Sequence, residues 1–385
     1  MKIPADLLTR PAEEAVRRLA LVQLERAIEA RKQLVDGDRE EALHDFRVAL
    51  RRLRSLLRSH RSAFSVEFPK RALRNLATLA RDTNPGRDAE VQLAWLGTFA
   101  AELKPAERAG HRVLAADLTV RRDESYRKVE REIVRDFAGI AEDLAARLVA
   151  YKVTVNLAQP APPPSFAAAT REALVRSRDE LFDKLARIET VADETEGHAA
   201  RIAAKRLRYL AEPLAPWIDS ARRPVELLKA LQDLLGELHD GQLLAAHVAQ
   251  SLAEIESKRA QRLIADTLDG ADPTSPAGRA AQALPTLRRS ERSGLIAVAR
   301  RLGARRSDLF ASLTQGWLGE TAPLRQELVA ALETLDRSLG APPRRRPPRE
   351  KPAAGAPAAR KPRRPGGRQA PVRRTRPARS PSTTG

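Results

Sequence analysis

A basic motif that occurs twice constrains the fold of this chain more than any other feature. Residues 44–54 have the sequence HDFRVALRRLR, and residues 198–208 have the sequence HAARIAAKRLR. The histidine, the basic residues and one leucine recur at an offset of 154. A weaker similarity relates residues 79–88 to residues 231–240 at an offset of 152. Two matches with nearly equal offsets predict that one structural unit has been duplicated.

Both copies of the motif have the periodicity of an amphipathic α-helix. Because each helical residue turns the chain by about 100°, basic residues three or four apart share one side. The first copy places four arginines on that side: Arg47, Arg51, Arg54 and Arg58. The apolar residues lie opposite, toward a core: Phe46, Leu50, Leu53, Leu56 and Leu57. This pattern predicts two equivalent basic helices, each packed through its apolar side.

The composition favours helices throughout the chain. Hydrophobic residues make up 42% of the 385 residues and are mostly Leu and Ala, whereas aromatic residues make up 4%. Such a core suits packed helices better than sheets. The absence of cysteine excludes disulfides, thiolate metal sites and cysteine nucleophiles. The polar start and the lack of a long apolar segment predict no signal peptide and no membrane span, hence a cytoplasmic protein.

Proline-rich segments divide the chain. We predict a helical domain over residues 1–340, with halves at about 10–158 and 166–338 joined by a linker at 159–165. Residues 341–385 contain 14 Lys and Arg, one acid and eleven prolines. This tail lacks an apolar pattern and is predicted to be disordered. It carries most of the formal net charge of +19, so any anion site in the domain depends on local clustering.

The first basic helix lacks the acids that usually offset such charges. Residues 47–61 contain six arginines and no Asp or Glu. Stacked like charges destabilise a helix by a few tenths of a kcal/mol per pair, roughly, so their repetition at matching positions predicts a bound anion. Arginine suits phosphate because its planar guanidinium makes paired hydrogen bonds. In the second copy Glu212 occupies the position of Arg58, which predicts a shorter basic stripe.

Histidines and aspartates accompany the stripes. His44 and His198 could contact phosphate or could anchor the helix start, and near guanidinium groups both should tend to be neutral. Neither has a second ligand at a repeated metal spacing, so no metal site is expected. The pairs Arg87-Asp88 and His239-Asp240 predict an aspartate that caps a helix start, or alternatively one that orients an arginine.

These motifs resemble the conserved histidine α-helical domain family, abbreviated CHAD. The resemblance depends on the doubled motif at 44–54 and 198–209 and on LQDLLGELHD at 231–240, and covers about residues 10 to 338. It implies an all-α fold of two pseudo-symmetric antiparallel helical bundles with the basic stripes lining a central cleft. It further implies non-catalytic binding of inorganic polyphosphate and association with polyphosphate granules, with no cofactor.

The resemblance also implies a set of binding residues. The matching positions in the first half and in the second half, with Arg58 and Lys229 as weaker candidates, give the following predicted polyphosphate-binding residues: His44, Arg47, Arg51, Arg52, Arg54, Arg58, His198, Arg201, Lys205, Arg206, Arg208 and Lys229. No catalytic residue and no metal ligand is predicted.

Three other interpretations remain open from the sequence. The basic tail could bind nucleic acid without sequence preference, as any basic arm does. The chain could hydrolyse phosphate polymers, although the motifs supply no acidic metal ligands of the kind that phosphoryl chemistry generally uses. Finally, the protein could be a helical scaffold whose arginines simply pair with acids elsewhere.

Overall fold

Ten α-helices account for most of the chain that the computed structural model describes. The described ranges are 6–36, 39–64, 70–150, 162–268 and 276–340. The helices, in chain order, are α1 Ala12–Asp36, α2 Arg39–Ser59, α3 Lys70–Asp82, α4 Asn84–Ala100, α5 Arg108–Val149, α6 Phe166–Leu185, α7 Glu194–Ala211, α8 Arg222–Leu268, α9 Pro276–Gly316 and α10 Pro323–Gly340. The predicted tail and residues 159–161 of the predicted linker lie outside these ranges.

The predicted all-α class is confirmed. Within the described ranges, the β-type pairing is limited to a single bridge between Pro11 and Ser165. Ser165 also begins α6, because its Oγ accepts a hydrogen bond from the backbone N–H of Ala168 at 3.2 Å. Most consecutive helices pack against each other, as short connections favour. None of the described helices has an apolar stretch that could cross a membrane.

A large hydrophobic core extends across both predicted halves. It combines buried leucines and alanines of most helices with a few aromatic rings. In the first half, Phe46 on α2 meets Phe137 on α5 edge to face, with ring centroids 4.8 Å apart. Leu53 of α2 and Leu207 of α7 belong to the same cluster. The two halves therefore share this main core, and neither half has a separate one of its own around its basic helix. The duplication and the exact halves stay predictions.

A second, smaller core lies where α4, α5, α8 and α9 meet. It contains buried leucines such as Leu96, Leu118 and Leu244. The close approach of α5 and α9 near it depends on two glycines. A Cβ at Gly110 would lie 2.2 Å from the carbonyl oxygen of Glu291, and one at Gly294 would lie 2.1 Å from that of Glu107. No larger residue fits at either position without separating the helices.

A buried histidine connects the end of α2 to the start of α6. His60 is 2% exposed, its Nδ1 lies 3.2 Å from the carbonyl oxygen of Leu56, and its Nε2 lies 3.1 Å from Thr170 Oγ1. A carbonyl can only accept, so Nδ1 carries the proton and Nε2 accepts from the hydroxyl. The ring also stacks on Phe166. Burial lowers the pKa of His60 to about 4, and the imidazole is neutral at pH 7.

This histidine should make folding stability depend on acid. In the unfolded chain His60 has its usual pKa near 6.5, so between pH 6.5 and about 4 the unfolded state binds a proton that the folded state does not. The free energy of unfolding should therefore fall as the pH drops through this window, by about 3 kcal/mol from this residue. The measurement is denaturant unfolding from pH 8 to pH 4 of the unchanged protein and of His60→Asn.

The matched control is His44→Asn, because His44 is exposed on α2. We expect the curve of His60→Asn to converge on that of the unchanged protein at acidic pH, while the curve of His44→Asn stays parallel to it. Parallel curves for both variants would contradict the assignment.

Candidate functional site

The fold brings the two basic helices into contact. The helix α2 carries the first motif, α7 carries the second, and the two pack against each other. Cations from these helices and from α4 lie within electrostatic range of one another or of a shared carboxylate. We call this group the central cluster, and its members are Arg47, Arg51, Arg87, Arg201, Lys205 and Arg208.

Most arginines of the central cluster have no acidic partner. Within the described residues, none of Arg47, Arg51, Arg201 and Arg208 forms a salt bridge, whereas arginines elsewhere commonly do, as Arg17 does with Glu13 at 2.7 Å. The Nε atoms of three of them are buried without a hydrogen-bond acceptor in the described part of the chain: Arg51, Arg201 and Arg208. Buried donors without partners are costly, so the described residues leave these guanidinium groups neither paired nor fully hydrogen-bonded.

The charge density of the cluster is clearest at Lys205. Burial is the main cause that lowers its pKa to about 7, and Arg201, Arg51 and Arg208 lower it further. Asp240 acts in the opposite direction. Arg47 is likewise buried, which lowers its pKa, although a guanidinium still stays charged. Burial and three neighbouring guanidinium groups thus outweigh the opposing effect of Asp240 at this lysine.

The two predicted histidines differ in their surroundings. His198 packs against His239 of α8, with ring centroids 4.6 Å apart. Burial lowers the pKa of both rings, that of His239 to about 4, and Arg201 and Lys205 add to the effect. The prediction of a neutral imidazole is therefore confirmed for His198. His44 is exposed on α2 and makes no hydrogen bond to a described residue.

Two of the predicted binding residues already have carboxylate partners. Arg52 forms a salt bridge with Glu212, which follows directly after α7, so this contact crosses between the two motifs. Arg206 forms one with Glu180 of α6, at 2.5 Å. For these two arginines the scaffold interpretation holds. Glu212 shortens the second stripe, as predicted, and it also neutralises Arg52 in the first.

The first stripe continues beyond the central cluster. Arg58 is exposed and lies close enough to Arg206 for that guanidinium to be the main cause that lowers its pKa. Arg54 is half-buried, and after burial its charged neighbours are Arg58 and Arg81. Neither Arg54 nor Arg58 forms a salt bridge with a described residue. The stripe therefore extends along α2 past the contact with α7.

Two aspartates lie within the central cluster, for which the sequence predicted either a helix cap or a role in orienting an arginine. Burial raises the pKa of Asp88 and of Asp240. The charge of Asp240 raises the pKa of Asp88 further, and that of Glu237 does the same for Asp240, whereas Arg201 and Arg87 lower both pKa values. Neither forms a salt bridge with a described residue. The prediction that both cap helix starts is wrong, because Thr83 precedes α4 and Asp240 lies far inside α8. Their surroundings fit the alternative, a carboxylate that acts on the arginines.

The helix α8 packs against α7 and contacts Arg201 of the central cluster. The buried amide of Gln232 donates to the carbonyl oxygen of Ala204 on α7 at 3.1 Å. Further along, a Cβ at Gly236 would lie 3.6 Å from Nε of Arg201, so a side chain larger than alanine would displace that guanidinium. Between these two contacts the residue numbers rise along α8 and fall along α7, so the two helices are antiparallel. The exposed Lys229 therefore lies toward the Arg208 end of α7.

Four members of this site were named from the sequence but not included among the predicted binding residues. Arg87 and Asp88 on α4, and His239 and Asp240 on α8, reach the same centre as the two stripes. The signal that could have identified them is the second repeat, which ends at these pairs in both halves. Within the described ranges no three His, Asp or Glu side chains are arranged to hold a metal ion.

A family profile and one crystal structure support the same fold. The profile of the family described as CHAD domain matches residues 18–249. The crystal structure of the CHAD domain from the plant Ricinus communis is 20% identical, covers 86% of this chain and 95% of that one, and has a TM-score of 0.53. PptA from Streptomyces chartreusis is 17% identical, covers 78% and 100%, and has a TM-score of 0.48. No curated protein matches the sequence.

The excess charge at Lys205 should cost stability. Its pKa is 10.5 when unperturbed and about 7 in the fold, so between these values the folded state binds fewer protons and stability falls as the pH is lowered. Lys205→Met should therefore raise the free energy of unfolding by about 2 kcal/mol at pH 6, which we expect as a gain of roughly 4 °C or more in melting temperature. The gain should shrink toward pH 10.

Lys229→Met is the matched control, because this lysine is exposed on the neighbouring helix α8. Thermal melts of both variants at pH 6, 8 and 9.5 give the comparison. A gain of equal size in both variants, or one that does not change with pH, would show that Lys205 is not an unbalanced buried charge.

Proposed function

Because this chain belongs to the CHAD domain family, we propose that it binds inorganic polyphosphate in the central cluster without catalysing a reaction on it. The arginines of α2 and α7 are the main contacts in this proposal. The observation that carries it is the convergence of Arg51, Arg201 and Arg208, from motifs 154 residues apart, with buried Nε atoms that have no acceptor among the described residues.

The chemistry of the central cluster supports a phosphate polymer. Guanidinium groups bind phosphate oxygens with paired, charge-assisted hydrogen bonds, and these are stronger than neutral ones. A polyanion would also relieve the repulsion from Arg206 that is the main cause of the lowered pKa of Arg58, and the repulsion from Arg201 that adds to the effect of burial on Lys205.

Two tyrosines lie beside the cluster, but Tyr209 is buried beneath Arg208 and Tyr126 donates its hydroxyl to Glu90, so they do not form an exposed row of rings on which bases could stack. Recognition therefore depends on charge density and hydrogen bonding.

The length of the basic stripe favours a chain over a single phosphate. From Arg47 to Arg58 the helix α2 rises about 16 Å, at 1.5 Å per residue. Arg51 and Arg54 lie between them on the same side. A flexible chain can contact the successive guanidinium groups of this row together with those of α7. Affinity should increase with chain length and fall with salt, as counterions are released.

A purely binding role is consistent with the acids in the cluster. The structure places three carboxylates among these cations: Glu90 pairs with Arg87 at 2.9 Å, and Asp88 and Asp240 both lie in the field of Arg201 and Arg87. This positive field opposes the approach of the divalent metal ions that phosphoryl transfer generally uses. We therefore propose that the site holds its ligand rather than cleaves it.

Association with polyphosphate granules in the cytoplasm follows as a further part of this proposal. A granule presents many phosphate chains at high local density, and a protein that holds one chain is then retained by rebinding to its neighbours. The composition of residues 341–385 supports a second interaction. With 14 basic residues and one acid, this tail is proposed to bind nucleic acid through its phosphates.

The central cluster is tested by titrating long-chain polyphosphate into residues 1–340. The variant changes five arginines to Ala: Arg47, Arg51, Arg54, Arg201 and Arg208. Because each charge-assisted contact contributes about 1.5 to 3 kcal/mol, we expect affinity to fall by at least about a hundredfold. Calorimetry near physiological salt is the measurement, with duplex DNA as a competitor that should displace little.

A control variant removes the same charge from exposed positions outside the cluster: Arg108, Arg112, Arg131, Arg262 and Arg300. It should bind nearly as tightly as the unchanged domain. Equal losses in both variants would show that net charge alone attracts the polymer, and no loss in the cluster variant would assign the stripes a structural role.

The tail is tested by deleting residues 341–385 from the full chain. We expect DNA affinity to collapse, because the remaining residues have 55 Lys and Arg against 49 Asp and Glu. Polyphosphate affinity should largely persist, because the central cluster is intact. Filter binding of duplex DNA and of polyphosphate at several salt concentrations makes the comparison, and a parallel loss of both would place the polyphosphate site in the tail.

A further inference from the structure

The helix α3 presents three arginines on one exposed side. With about 100° per residue, Arg71, Arg74 and Arg81 fall within an arc of about 80°. All three are exposed, and they share this side with Asn75 and Thr78, which are also exposed. We call the surface formed by the three arginines the α3 face. It rises about 15 Å along the helix from one end to the other.

The position of this face is fixed by the opposite side of the helix. Ala72, Leu76 and Leu79 are buried in the main core, at 4%, 0% and 7% exposure. Because α3 packs against both α2 and α5, it cannot rotate to turn these arginines elsewhere. The α3 face is therefore a fixed part of the surface, outside the motifs from which the binding residues were predicted.

Acids do not neutralise the α3 face in the described structure. Asp82 is half-buried at the end of α3, and it forms no salt bridge with a described residue. Asp143 on α5 lies in the field of Arg71 but is already paired with Arg147 at 2.9 Å. By contrast, exposed arginines on other helices often have an acid one turn away, as Arg121 has Asp117 and Arg187 has Asp183.

The α3 face is connected to the basic stripe of α2. Arg81 lies near enough to Arg54 to lower its pKa, and Arg54 also lies beside Arg58. This proximity distinguishes Arg81 from exposed arginines such as Arg108 and Arg112, which lie outside the cluster. A line of cations thus leads from the central cluster through Arg54 to Arg81 and along α3.

We propose that the α3 face is a second stretch of the binding site, which holds the part of a polyphosphate chain that extends beyond the central cluster. This inference rests on the proposed function and assigns it a length requirement. Short phosphate chains would be held by the cluster alone, whereas long chains would also contact Arg81, Arg74 and Arg71. Because these contacts are exposed to solvent, each adds a small amount to the binding free energy, and the affinity for long chains depends on their sum.

The test uses the full chain with Arg71, Arg74 and Arg81 all changed to Ala, and titrates it with inorganic triphosphate and with long-chain polyphosphate. We expect long-chain affinity to fall about tenfold, and its dependence on salt to weaken, while triphosphate affinity stays unchanged. The matched control changes Arg108, Arg112 and Arg262 to Ala, which removes the same charge from exposed positions and should leave both affinities nearly unchanged.

The outcomes distinguish a failure of the α3 contact from a failure of the proposed polyphosphate binding. Equal long-chain losses in the two triple variants would overturn it, because net charge would then explain the effect. A loss of triphosphate binding in the α3 variant would also overturn it, because the substitutions would then be acting on the central cluster. Full long-chain affinity in the α3 variant, beside a loss in the cluster variant, would overturn the α3 contact alone. Absence of binding by the unchanged protein would overturn the proposed function as well.

Discussion

The contact between α2 and α7 determines the rest of the site. Each helix buries its leucines in the shared core and thereby directs its basic side toward the other, which brings like charges together against their repulsion. Burial of apolar side chains of this size stabilises a protein by about 1.5 to 3 kcal/mol each, whereas repulsion between partly solvated charges costs much less. The core therefore supplies the free energy that holds the cations in place, and Lys205 shows the remaining cost in its lowered pKa.

The two flanks of this contact are related in sequence but differ in charge. Arg52 and Arg206 occupy matching positions of the two motifs, as do Arg58 and Glu212. On one flank Arg52 pairs with Glu212, and on the other Arg206 lies near Arg58 and pairs with Glu180 of α6. A single difference between the copies thus converts a repulsive contact into an attractive one, which stabilises the packing of α7 on α2 while leaving Arg58 for a ligand.

The sequence predicted the helices and the direction of the basic stripes, because both follow from a local period of 3.6 residues. It could not predict which arginines are neutralised. The pairing of Arg52 with Glu212 joins residues 160 positions apart and depends on how two helices approach. The capping prediction for Asp240 failed for a similar reason: an aspartate in a short polar pair is compatible with a helix start, but the apolar period continues through it and α8 is unbroken. Local patterns identify a face, and tertiary packing decides what that face meets.

The titratable groups around Arg201 all respond to a bound polyanion in the same sense. Negative charge raises the pKa of the lysine, the imidazoles and the carboxylates alike, so Lys205, His198, His239, Asp88 and Asp240 would each take up protons as a ligand binds. Linkage is reciprocal, and a site that gains protons on binding must bind more tightly as protons become more abundant. With the pKa of Lys205 at about 7, the protein would hold the proposed polyanion more firmly in an acidifying cell, and the heat of binding would include the ionisation of the buffer.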